Sequence, residues 1–158
     1  MKVADRDAAA VRIPPPLVYV VGMFAGALLH RFVLALPIGL PRATRIGAAT
    51  LLALAGIALV AGAFRLFRRT GQDAEPWKST PQIISTGVYR FTRNPMYVCM
   101  ALLQAAIGIG LANGWIVALI PAVLVGVYVT AIRHEETYLE RKFGQVYLDY
   151  KASVRRWF

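Results

Sequence analysis

The stretch GVYRFTRNPMYVCM, residues 87–100, gathers Arg90, Arg93, Asn94 and the tyrosines Tyr89 and Tyr97 around a proline at the start of an apolar segment. Pro95 suits the first turn of a helix and Asn94 its cap, which leaves backbone N–H groups directed at the preceding loop. A helix start of this kind can receive an anionic group. Further along, Glu135 and Glu136 stand just beyond another apolar segment, in a zone otherwise rich in cations. They suit a cationic ligand, and Arg133, one helical turn from Glu136, offers the alternative of a structural ion pair. No metal is expected: a single Cys99 forms no internal disulfide, and no Cys and His pair has zinc-ligand spacing.

The elements that carry these residues follow from composition. With 58% hydrophobic and 16% charged residues and a mean hydropathy of +0.54, the chain reads as a membrane protein. Its apolar residues form four blocks, 17–40, 46–64, 96–112 and 115–132. Each is near the ~20 residues a helix needs to cross a ~30 Å hydrocarbon core. The first carries His30 and Arg31, so either its clean apolar part stops early or the charged pair faces a protein partner or the interface. It is longer than a signal-peptide core, follows Pro14, Pro15 and Pro16, and is read as retained. The second is uncharged and rich in Ala, Leu and Gly, suited to close packing. Asn113 and Gly114 alone separate the last two, which predicts a tight antiparallel helical hairpin.

Residues 77–97 are punctuated by proline and glycine too often for a long helix and read as an extended, structured loop. After the fourth block, Leu139, Phe143, Tyr147, Tyr150, Val154 and Trp157 recur every three or four residues, the pattern of an interfacial amphipathic helix. The expectation is therefore an all-α integral membrane bundle of about four transmembrane helices plus a C-terminal interfacial helix. It divides into an N-terminal tail (1–16, the first dozen residues a candidate for disorder), two transmembrane helices (17–64) and a region of loop, helical hairpin and C-terminal helix (65–158) that holds the candidate site residues.

Three Lys or Arg lie in residues 1–16, six in 65–94 and six in 133–158, against Arg42, Arg45 and, near a helix end, Arg31. The positive-inside rule places both termini and the central loop in the cytoplasm, at the inner membrane for a bacterial chain. The net charge of +10 is accounted for by this topology and by contact with anionic membrane lipids. Nucleic acid is not an expected partner, because the charge is divided between membrane flanks and no recognition motif accompanies it.

STGVYRFTRNPMY, followed after the hairpin by EETYLERKFGQVYLDYKASVRRW, resembles the isoprenylcysteine carboxyl methyltransferase family and its phospholipid N-methyltransferase relatives. The resemblance covers roughly residues 76–158; the first two blocks resemble nothing in particular. It implies an enzyme that binds S-adenosylmethionine at the cytoplasmic face and methylates a lipophilic substrate arriving from the bilayer. Carried over by position, the cofactor contacts are Pro81, Gln82, Ile83, Ile84, Tyr89, Asn94, Pro95, Met96, Tyr97 and Glu135. Asn94, Arg93 and the helix start would take the α-carboxylate and Glu135 the α-amino group, while Ile83, Ile84, Tyr89 and Tyr97 would surround the adenine and sulfonium.

Two departures bear on the acceptor. Asn94 stands where the prenylcysteine enzymes usually have His, and their substrate-orienting Arg falls here on Ala131, which leaves Arg133, with Glu136, as the acceptor-side candidates. Because the methyl group is already activated, the protein must chiefly align the reactants and exclude water. The first expectation is O-methylation of a prenylcysteine-like carboxylate, with phospholipid N-methylation or thiol S-methylation as alternatives. An NADPH-dependent membrane reductase and a noncatalytic membrane scaffold are the readings from other classes.

Overall fold

The computed structural model of the chain describes residues 9, 11, 13–72 and 78–157. The expected disorder of the first dozen residues therefore lies almost wholly outside the described residues. Helix α1 (Pro15–Leu28) starts on the proline run, whose fixed φ suits a first turn, and ends in a π-helical turn, Leu29–Val33. The first apolar block does not continue as helix to residue 40. Pro37, Gly39 and Pro41 oppose it, and the chain instead runs extended, with an isolated bridge between Pro37 and Asn113. Gly114 N donates to Leu36 O at 2.8 Å and Ile38 N to Ala112 O at 3.2 Å, which pins this segment across the turn between the next two helices of the hairpin.

Helix α2 (Arg42–Thr70) has 29 residues and spans ~44 Å, longer than a ~30 Å hydrocarbon core. Arginines occupy both its ends. Helix α3 (Pro95–Gly110) leads through Asn113 into α4 (Gly114–Ala118), forming the expected hairpin. Asn113 Oδ1 accepts from Trp115 N at 3.1 Å and Ile116 N at 3.2 Å, closing the turn. Pro121 then interrupts the return helix, which resumes as α5 (Ile120–Val127), passes through a π-helical turn (Tyr128–Ile132) and continues as α6 (Arg133–Phe143). Among the described residues the protein is all helical apart from turns and extended connections.

Three helical runs, Pro15–Val33, Arg42–Thr70 and Gly114–Phe143, are long and apolar enough to cross a membrane, and the 16-residue Pro95–Gly110 is a shorter apolar helix. Tyr19, Tyr97, Val123, Val127, Ala131 and Ile132 form the buried core where α1, α3 and α5 meet. Close approach is set by small residues. A Cβ at Gly26 would come within 2.8 Å of the Ile116 backbone, and Gly56 of α2 lies against the Cys99 carbonyl. Outside the core, Phe24, Phe32, Leu51, Leu54 and Val125 are all more than half exposed, a surface that suits lipid rather than water.

The C-terminal segment differs from the single interfacial helix that its aromatic spacing suggests. Gly144, at φ +51°, breaks it, and α7 (Gln145–Ser153) folds back so that Tyr147 and Tyr150 are buried. The chain after Val154 is extended and lies against the start of α3. Arg93 N donates to Arg155 O at 3.0 Å, and Thr92 Oγ1 and Asn94 Nδ2 both donate to Arg156 O, at 3.0 and 3.1 Å. Asn94 thus occupies the N-cap position of α3, but its side chain holds the returning tail rather than the helix N–H groups.

Candidate active site

Where α2 ends, α3 begins and α6 emerges, the helices enclose a cavity of about 840 Å³. Val60, Phe64, Phe67 and Gln72 of the α2 end form one wall, and Thr80, Gln82, Ile83 and Ile84 of the following loop form another. The loop is docked on α6: Tyr138 Oη accepts from Thr80 N at 3.1 Å and from Lys142 Nζ at 3.0 Å, and Lys142 Nζ donates to Ser79 Oγ at 2.7 Å. Tyr150 Oη donates to Tyr89 O at 2.9 Å and so ties α7 to the 3₁₀ turn Gly87–Arg90.

The residues singled out in the sequence mostly converge here. Gln82, Ile83, Ile84, Tyr89, Arg93, Asn94, Pro95, Met96, Tyr97, Glu135 and Glu136 all line the cavity. Pro81 is exposed and does not, although its neighbours do. Arg133 is also exposed and lines no part of the cavity, because the helix runs on without unwinding after Ile132 and turns this side chain outward. The position of Ala131 is fully buried in the core, closed to a long cation.

Two carboxylates in sequence have different surroundings. Glu135 Oε1 accepts a hydrogen bond from the Tyr97 hydroxyl. Glu136 is buried among cations: Arg156 Nε and Nη2 reach Oε1 and Oε2 at 3.0 Å each, Arg93 Nη1 lies 3.1 Å from Oε1, and Lys151 Nζ lies 3.8 Å from Oε2. The ion pair open to Glu136 in the sequence is therefore not made with Arg133. Its hydrogen bond with Glu136 raises the Arg156 guanidinium further above its ordinary value, and the group also covers the Tyr128 ring at 4.6 Å.

Arg93 is the pivot of this arrangement. Its side chain is 8% exposed, and despite the short contact with Glu136 neither Nε nor Nη1 completes a hydrogen bond. Gln72 Nε2 is likewise buried without an acceptor. Buried donors of this kind are costly unless something accepts from them. Beside Arg93, burial, with the Glu136 carboxylate adding to it, pushes the Tyr147 phenol up to about 12, and burial also raises Tyr89 and Tyr150. All three are neutral hydroxyls at physiological pH.

Arg156, Tyr147, Tyr150 and the α2 wall were not legible as site residues. The aromatic stripe held a partial signal in Tyr147 and Tyr150, and the Phe143-Gly144 step marked the break that turns them inward. Nothing local tied Arg156 to Glu136.

Apolar helices around a polar-ended cavity of this size are the arrangement of a membrane helical bundle with a pocket of small-molecule dimensions. A family model described as phospholipid methyltransferase matches residues 44–146, well over half of the chain. The chain belongs to that family, the family of isoprenylcysteine and phospholipid methyltransferase-like membrane enzymes, and membership indicates methyltransferase activity. The match takes in α2, which by itself resembled nothing in particular. An uncharacterized protein of Haemophilus influenzae is 39% identical over 64 residues, which make up 39% of this chain and 98% of that protein. No solved structure matches the chain.

Proposed function

We propose that the protein is an S-adenosylmethionine-dependent membrane methyltransferase whose cavity holds the cofactor next to a lipophilic acceptor. The observation that carries this reading is the pair of opposite receptors on one cavity: Arg93, whose buried Nε has no acceptor, and Glu135 oriented by Tyr97. An amino-acid end group with a carboxylate and an ammonium fits such a pair. Arg93, with Gln72 as a second free donor, would take the carboxylate, and Glu135 the ammonium. Phe67, Ile83, Ile84, Tyr89 and Leu139 supply apolar and aromatic surface for the adenine. When bound, the cofactor supplies a methyl group already activated on sulfur. The chain's own task is to orient the acceptor and keep water away, which the apolar Val60, Phe64, Met100 and Leu103 support.

On the acceptor, the geometry favours a different order from the sequence. Arg93 is the only Lys or Arg among the described residues lining the cavity. If it serves the cofactor, no second cation among the described residues remains inside for an acceptor carboxylate, and both Ala131 and Arg133 lie away from the cavity. This supports a phospholipid amine over a prenylcysteine carboxylate. Both termini and the site then face the cytoplasm, a placement supported by the cation distribution.

The test is binding and turnover with the purified protein. S-adenosylmethionine should raise its unfolding temperature, NADPH should not, and Arg93→Ala should abolish the shift. With ethanolamine lipids the rate should rise with pH as the amine deprotonates, whereas carboxylate transfer would stay flat above about pH 6. Protection by NADPH alone would return the reductase reading, and no protection by either the scaffold reading.

A further inference from the structure

Beside the cavity, the end of α2 carries a second concavity, about 470 Å³, lined by Ala61, Phe64, Arg65, Arg68 and Arg69. The spacing of these residues puts them on one face of the helix over its last turns. No acidic side chain pairs with any of the three guanidinium groups among the described residues. Above them the same face is apolar and unpartnered: Leu54 is 57% exposed, Ile57 53% and Phe64 45%. One helix face thus presents a cationic cluster at its end and an apolar strip running up from it. Phe64 belongs to this groove and to the wall of the large cavity alike.

We propose that this groove is a binding site for an anionic phospholipid, with the phosphodiester held by Arg65, Arg68 and Arg69 and an acyl chain lying along Ile57, Ala61 and Phe64. The occupant follows from complementarity. A guanidinium matches phosphate oxygens with paired donors, and three of them with no paired acid among the described residues favour a headgroup of net negative charge over a zwitterionic one, whose ammonium they would repel. The apolar strip requires that the phosphate come attached to a chain in the bilayer rather than free in solution. Ordinary topological arginines interact diffusely with the membrane surface, at any position along it. A built site instead makes lipid retention depend on these three residues, and its shared Phe64 puts the bound chain at the rim of the cavity. The inference does not depend on the identity of the methyl acceptor.

Native mass spectrometry of the full chain released from nanodiscs tests it. Phosphatidylglycerol should be retained in preference to phosphatidylcholine, and the triple variant Arg65→Gln, Arg68→Gln, Arg69→Gln should lose about tenfold or more of that retention. The double variant Arg141→Gln, Arg155→Gln, which removes two exposed cations elsewhere, should retain the lipid as the wild type does. Should the triple variant not fold, the three single variants carry the test, each expected to lose about two- to threefold. Equal retention of both lipids, retention unchanged in the arginine variants, or a loss as large in the Arg141 and Arg155 double variant would overturn the site. Displacement of phosphatidylglycerol by soluble glycerophosphate would overturn its assignment to a lipid.

Discussion

The Tyr97 hydroxyl donates to Glu135 Oε1 and thereby joins the first turn of α3 to the first turn of α6, elements separated by the whole helical hairpin. Tyr97 is held in turn through its carbonyl, which accepts from Tyr19 Oη at 2.8 Å. The carboxylate proposed to receive the cofactor's ammonium is thus positioned by a side chain anchored in the core. Tyr97→Phe should weaken S-adenosylmethionine binding by about 1.5–3 kcal/mol, the scale of a hydrogen bond to a charged group. Glu135→Ala should weaken it at least as much, and calorimetric titration checks both.

Glu136 is expected to act through position rather than as a base. Its two oxygens are already taken by Arg156 and Arg93, so Glu136→Ala leaves a buried guanidinium without its counter-charge and should cost about 3–5 kcal/mol of stability. Thermal unfolding measures this. A variant that loses turnover at unchanged stability would reassign Glu136 to proton transfer.

Gly26→Ala should destabilise the bundle by about 1–3 kcal/mol, because the added Cβ meets backbone atoms of Ile116 at 2.8 and 2.9 Å and neither helix can yield locally. Gly39→Ala, with nothing within 4 Å, is the control and should leave the unfolding temperature unchanged.

Alkaline stability should report on the buried tyrosines. The Tyr147 phenol, ordinarily near 10, is raised to about 12, so its contribution to stability is complete below pH 10 and is lost as pH climbs from 10 through 12. Tyr147→Phe should flatten part of that slope in a series of unfolding curves, with Tyr89 and Tyr150 retaining the rest.

Topology can be read with single cysteines in a Cys99→Ala background. A thiol introduced at Gly39 should react with an impermeant reagent in intact cells, and one at Ala152 only after the membrane is opened. Labelling of the Ala152 position in intact cells would reverse the orientation.

Much of this protein was legible in its sequence because the governing signals are local. Hydropathy over a helix length marked the apolar segments, although Pro37 and Pro41 ended the first one sooner than its hydropathy indicated. The Asn113-Gly114 step marked the hairpin, Pro95 the start of α3, and two motifs in order marked the family. Each of these depends on neighbours within a few residues, which is the range over which backbone conformation and helix periodicity act.

What the tertiary structure alone decided is which charges meet. Arg133 is one helical turn from Glu136 yet faces outward, while Arg156 and Arg93 reach the same carboxylate from the tail and from the loop before α3. That outcome rests on the reversal at Gly144 and on the carbonyls of Arg155 and Arg156 accepting from Arg93 N, Thr92 and Asn94. Helical spacing gives the neighbours of a side chain on its own helix, but a buried ion pair forms with whichever cation the folded chain carries into the same low-dielectric space, and that depends on the path of the whole backbone.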